Sequence, residues 1–214
     1  FHRLDLDSGR LQLLQRQALP EGCRFNDGKV SPDGRFFVGS MDEAQLSRRL
    51  GVLYRFDPDG RCEAVLDDLI VSNGLAWSPD GRQLWHSDSK GQLIRCFDYH
   101  NGQLSNPREI ARPDEAAGRP DGAAMDVDGF YWSAGISAGV LNRWAPDGRL
   151  DRRVELPCAA PTMPCFGGPD MKTLFITSLR HGLSAAQLAH RPLSGGLFAL
   201  RVDVAGVPVA RFKQ

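Results

Sequence analysis

The chain has 214 residues, 42% of them hydrophobic and 24% charged, an ordinary balance for a globular protein. Its 26 Lys and Arg are matched by 26 Asp and Glu, so no net charge points to nucleic acid or an anionic membrane as partner. No apolar run is long enough to cross a bilayer as a helix, and a soluble, cytoplasmic protein is expected.

From the start of the chain, "FHRLDLDSGRLQLL" reads as a hairpin. The stretch "RFNDGKVSPDGRFF" follows, with Arg24, Asn26, Asp27 and Lys29 crowded where a buried strand should begin. Short apolar runs then recur: "RFFVGSM", "GVLYRFD", "RQLWHSD", "QLIRCFD", "GFYWSAG", "TLFITS" and "GGLFALRV". They are rich in Phe, Trp, Leu, Ile and Val, the composition of strands. Between them lie "SPDGR", "DPDGR", "YHNGQ", "DVDGF" and "APDGR", dipeptide turns that accept the positive φ of a tight hairpin. One segment, Leu179 to Leu188, is expected to form a short helix within a loop.

The turns keep time. Asp33-Gly34, Asp80-Gly81 and Asp128-Gly129 are spaced 47 and 48 residues apart, and Pro169-Asp170 follows after a shorter gap. A second series ends its strands on Phe56, Phe97, Trp144 and Leu200. A period near 47 with several strands per unit predicts the blades of an all-β propeller, and a β-sandwich is the second choice. At that period the chain holds about four and a half blades, with "FHRLDLDSGRLQLL" as the outer hairpin of a blade whose inner strands are absent.

Seven residues before each Asp-Gly turn stand Asn26, Asn73 and Asp121, and seven before Asp170 stands Met163. Equivalent positions in successive blades face the same channel, so these side chains are expected to meet at its mouth. Asn and Asp oxygens suit a hard cation such as calcium, and Arg24 beside them could hold a carboxylate or developing negative charge. Taken singly, Asn-Gly and Asp-Gly are also common turn pairs. The matched phase of all three favours a site.

The five cysteines, Cys23, Cys62, Cys96, Cys158 and Cys165, form no C-x-x-C pair, so free thiols in a reducing compartment are expected. The five histidines show no ligand spacing and read as surface or packing residues. Cys165 has no evident base partner, and no G-x-S-x-G elbow is present.

The motifs "RFNDGKVSPDGRFFVGSMDE", "SNGLAWSPDGRQLWHSDS", "RPDGAAMDVDGFYWSAG" and "PTMPCFGGPDMKTLFITS" resemble successive blades of the regucalcin/gluconolactonase (senescence marker protein) family. The resemblance implies a six-bladed propeller with one divalent metal in its channel, and hydrolysis of a sugar lactone to the open-chain hydroxy acid. It implies Asn73 and Asp121 as metal ligands, Asp121 also as catalytic base, and Arg24, Asn26 and Glu43 as substrate contacts. Calcium is the expected metal, with zinc, manganese or magnesium as alternatives. The family's third ligand, a Glu in an "E-G/S-P-x-W" motif, is absent from this sequence. Residues 1–214 are therefore expected to form a single propeller domain, incomplete at its N-terminal end, whose open blade edges invite self-association. The other readings are a non-enzymatic calcium-binding or protein-interaction propeller, an inactive truncated relative, and a hydrolase of other esters or phosphotriesters.

Overall fold

The computed structural model describes residues 1–213, and they form an almost wholly β structure. The opening hairpin pairs β1 (His2–Leu4) with β2 (Leu11–Leu13) as a sheet of its own. Four blades follow. Blade I is β3 (Cys23–Val30), β4 (Phe36–Asp42), β5 (Gly51–Phe56) and β6 (Cys62–Leu69). Blade II is β7 (Ser72–Trp77), β8 (Gln83–Asp88), β9 (Leu93–His100) and β10 (Gln103–Ala111). Blade III is β11 (Pro120–Met125), β12 (Tyr131–Gly135), β13 (Val140–Trp144) and β14 (Leu150–Glu155). Blade IV has three strands, β15 (Pro161–Gly167), β16 (Thr173–Ser178) and β17 (Leu197–Arg201).

Each blade is an antiparallel meander in chain order, as expected when successive strands are joined by tight turns. The predicted turn glycines Gly34, Gly81 and Gly129 all take positive φ, which explains why Asp-Gly recurs there. The second periodic series marks equivalent rungs: Phe36 pairs with Phe56, Leu84 with Phe97, Tyr131 with Trp144, and Leu174 with Leu200.

The cores lie between blades. Phe37, Leu53 and Leu69 of blade I pack on Leu75, Trp77 and Leu84 of blade II. Trp85, Ile94 and Cys96 meet Met125, Tyr131 and Trp144 of blade III, and Trp132 and Leu141 meet Phe166, Leu174 and Ile176 of blade IV. The first strands form the inner wall, β3 against β7, β7 against β11 and β11 against β15. Large aromatic and branched side chains at these faces fix each blade by its neighbours.

One local feature differs from expectation, and the expected opening hairpin is found. The helix α1 (Ala185–His190) starts later than predicted, because Ser184 caps it in a reciprocal box with Gln187. The opening hairpin is held to blade I by Phe1, which stacks on Phe56 at 4.4 Å between ring centroids. Beyond β17 the chain crosses the channel at the end where Gly34 lies. Val207 donates to Met125 O, Lys213 donates to Gly34 O, and Phe212 stacks on Phe56. This strap ties blade III to blade I. The five cysteines are all free.

Candidate functional site

All four inner strands break their ladder near the same height. The register shifts between Phe25 and Gly28, Asn73 and Ala76, Pro120 and Ala123, and Pro161 and Pro164. Such bulges turn side chains away from regular alternation. The Asn-Gly and Asp-Gly pairs that could have been turns therefore lie inside strands. Gly74 is required in this place: its φ is 59°, and a Cβ there would come within 2.2 Å of the Tyr131 hydroxyl.

The bulges bring the predicted residues together. An open cleft is lined by Asn26, Asp27, Asn73, Asp121, Gly122, Thr162 and Met163. The Asn73 side-chain amide donates to Asp121 Oδ1 from the neighbouring blade, and to Ser89 Oγ at 3.1 Å. Asn26 Nδ2 donates to Ser72 O at 3.0 Å, tying blade I to blade II. Arg24 stands at the rim. It donates to Asn26 Oδ1 at 3.2 Å and to Phe25 O at 2.9 Å, and its Nε meets Glu43 Oε1 at 2.8 Å. All five residues singled out in the sequence thus belong to one connected constellation.

Asp27 and Lys29 form a further layer that the seven-residue spacing did not single out. Asp27 Oδ2 accepts from the Leu75 N–H at 3.2 Å, and Lys29 Nζ donates to Ala123 O at 2.6 Å. These bonds run from blade I to blades II and III. Burial raises the Asp27 pKa and lowers that of Lys29, while each charge favours the other's ionised form. Asp121 is pushed up to about 7, first by burial and then by the Asp27 charge, with Asn73 and Arg119 opposing.

The site is therefore rich in half-buried carboxylate and short of positive charge. Asp121, Asp27 and the Asn73 amide offer hard oxygens, a donor set that fits a divalent cation of the calcium type. Among the described residues no three His, Cys, Asp or Glu side chains gather as a ligand cluster, so water would have to complete the coordination.

A second cavity, of about the same 200 Å³, lies near the strap and is lined by Val30, Pro32, Trp77, Pro79, Val207 and Pro208. Its walls are mostly apolar, and it holds no convergent carboxylates, so the first cleft is where chemistry can occur. Away from both, His86 is fully buried, donor or acceptor to Ser72 Oγ at 2.8 Å, and burial drives its pKa down to about 3. It is a packing residue, as its isolated sequence position suggested.

Residues 1–180 match the family described as SMP-30/gluconolactonase/LRE-like. The chain belongs to that family. Among curated relatives, a 6-deoxy-6-sulfogluconolactonase of Pseudomonas putida is 44% identical over 87% of this chain and 64% of its own length. Regucalcin of Bos taurus is 38% identical over 86% of this chain, again 64% of its own length. The chain thus spans just under two thirds of these relatives. The solved structure of a calcium-binding regucalcin of Agrobacterium tumefaciens superposes with a TM-score of 0.93 at 26% identity, over all of this chain and 73% of that one. A gluconolactonase of Xanthomonas campestris gives 0.67 at 28% identity, covering 82% of this chain and 61% of that one. The propeller expectation is confirmed: the described residues supply four blades and a separate hairpin. No helix among the described residues is long and apolar enough to cross a membrane.

Proposed function

We propose that the protein hydrolyses a sugar lactone with the help of one divalent metal ion, calcium first, with zinc, manganese or magnesium as alternatives. The observation that carries this reading is the meeting of Asn73 and Asp121, from different blades, in a cleft that also holds Asp27. The names of the gluconolactonase relatives point the same way. Asn73 and Asp121 are the proposed ligands, and the bound cation would polarise the lactone carbonyl and its attacking water.

The chain's own residues then have the following parts. Asp121 takes a proton from water at a carboxylate oxygen as the water oxygen joins the carbonyl carbon. The bond from that carbon to the ring oxygen breaks. The same proton returns to the ring oxygen, which leaves as the hydroxyl of the open-chain acid. Asn26 and Arg24 bind sugar hydroxyls and carbonyl oxygen from the rim, and Glu43 holds the Arg24 guanidinium in place. The Lys29 charge favours the ionised form of Asp27 beneath the reacting groups, against the effect of burial. No covalent enzyme intermediate is needed.

Acid release from a panel of sugar lactones tests the reading, with calcium, zinc, manganese or magnesium and again with chelator. Turnover that chelator abolishes and Asp121→Ala removes supports it. Absence of turnover with every metal would overturn it for this chain. A metal-binding propeller without turnover is the second reading. It is favoured by the calcium-binding description of the regucalcin structure.

A further inference from the structure

Blades I and III share one register at the channel mouth. In β3 the ladder runs through Arg24 and Phe25, bulges over Asn26 and Asp27, and resumes at Gly28. In β11 it runs through Pro120, bulges over Asp121 and Gly122, and resumes at Ala123, while Arg119 O accepts from the Ile136 N–H and extends the ladder by one residue. Arg119 is thus to Asp121 what Arg24 is to Asn26. In each case the arginine stands two residues before the cleft residue, on the same side of an extended chain. In blade II that place is taken by Val71, which is buried.

The two arginines differ in what they already hold. Arg24 is engaged by Glu43, by Asn26 and by Phe25 O. Arg119 is half-buried, and its hydrogen bonds are all of the backbone: its N–H donates to Ser137 Oγ at 2.9 Å and its carbonyl accepts from the Ile136 N–H at 3.0 Å. Its guanidinium has no hydrogen bond and no acidic partner within 4.0 Å among the described residues. Its charge reaches Asp121 without pairing with it. A half-buried, unpaired guanidinium two residues before Asp121, near enough for its charge to act there, is a fork of donors with no acceptor.

We propose that Arg119 is the specificity-determining residue for an anionic substituent on the substrate, so that the preferred lactone carries a sulfonate or phosphate on its exocyclic carbon. The proposal rests on the lactonase reading of the same cleft. A planar guanidinium binds either group through paired, charge-assisted hydrogen bonds. A relative at 44% identity is named for a sulfonated gluconolactone, which is the chemistry such a residue would recognise. Arg24, already neutralised by Glu43, is left for the neutral hydroxyls.

The test compares D-glucono-1,5-lactone with its 6-deoxy-6-sulfo and 6-phospho counterparts, using wild type, R119Q and R119K. The quantity read is the ratio of kcat/KM for each anionic lactone over the neutral one. A charge-assisted bidentate contact predicts a ratio of ten to a hundred in wild type, carried by KM. It should collapse by that factor in R119Q and partly return in R119K. A wild-type ratio near one, or a ratio that R119Q leaves unchanged, overturns the proposal. A parallel measurement separates this outcome from failure of the lactonase reading. Equilibrium binding of 6-phosphogluconate and of gluconate is followed by calorimetry, with calcium and with chelator. If no lactone is turned over but 6-phosphogluconate binds at least tenfold tighter and R119Q erases the difference, the anion site stands and the lactonase reading falls. If R119Q leaves that difference intact, the anion site falls.

Discussion

Asp121 should weaken the metal-free protein even though it serves the site. Its carboxyl is pushed from an ordinary 3.8 to about 7 by burial and by the Asp27 charge. Each tenfold change in proton affinity corresponds to 1.36 kcal/mol, so ionising this group in the folded chain costs about 4 kcal/mol at most. The group is half-buried at an open cleft, and solvent screening reduces the figure to about 2 kcal/mol. Because the folded state holds the proton more tightly than the unfolded one, the penalty is negligible below pH 4. It grows as pH rises and is complete above about pH 7. Asp121→Asn keeps the shape and the acceptor for Asn73 but removes the charge. In chelator at pH 8 the variant should melt roughly 4 to 8 °C above wild type, with the gap closing by pH 4. Differential scanning calorimetry at pH 4, 6 and 8 reads both numbers, and lactone turnover by the variant should be lost. A variant that melts lower than wild type at pH 8, or a gap independent of pH, would refute the reasoning.

Other consequences follow from single contacts. Calcium added to chelator-stripped wild type should stabilise the fold by about 2.7 kcal/mol at a hundredfold excess over the dissociation constant and so raise the melting temperature; Asn73→Ala should abolish the rise, as thermal melts would show. Asp126 is fully buried and holds both Arg143, at 2.8 Å, and the Trp132 indole N–H, at 2.8 Å. Asp126→Ala leaves the Trp132 N–H buried without an acceptor and Arg143 with Asp151, at 2.7 Å, as its remaining close carboxylate, so urea unfolding should show a loss of about 2 to 3 kcal/mol. The Arg24–Glu43 pair is exposed at 46% and 64%, so Glu43→Gln should change stability by less than about 1 kcal/mol. The same variant should raise KM severalfold in steady-state kinetics, because Arg24 is no longer held against Asn26.

The fold was legible where backbone chemistry restricts the residue. Asp-Gly at 33, 80 and 128 announced the hairpins because glycine alone takes their positive φ freely, and the spacing then gave the blades. Asn26, Asn73 and Asp121 were legible because equivalent inner strands present equivalent rungs to one channel. Asp27 was not. In a regular strand Asn26 and Asp27 would face opposite sides, and only the shift between Phe25 and Gly28 lets both reach the cleft. Arg119 escaped notice for a different reason. Its equivalence to Arg24 is a property of two bulges in the same register, and a bulge leaves no fixed residue signature. The closing strap was equally silent. Its hydrogen bonds to Met125 and Gly34 are tertiary, and the segment has no periodic pattern of its own.

Charge across the channel explains why the polar stretch that opens blade I tolerates its position. Lys29 sits deepest, anchored on Ala123 O of blade III, and offsets Asp27 one step nearer the mouth. Asp121 is then the single carboxylate without a close counter-ion in the cleft, and the neutral amides of Asn26 and Asn73 flank it. At the rim the order reverses, with Arg24 paired to Glu43 and Arg119 unpaired. The unbalanced charges are therefore one negative inside and one positive outside. The inner one suits a cation, and the outer one suits an anion that the cation does not bind. A substrate with its reacting carbonyl at one end and an anionic group at the other would satisfy both at once. A neutral sugar lactone would leave Arg119 without a partner, and a ligand too short to span the two would engage only one of them.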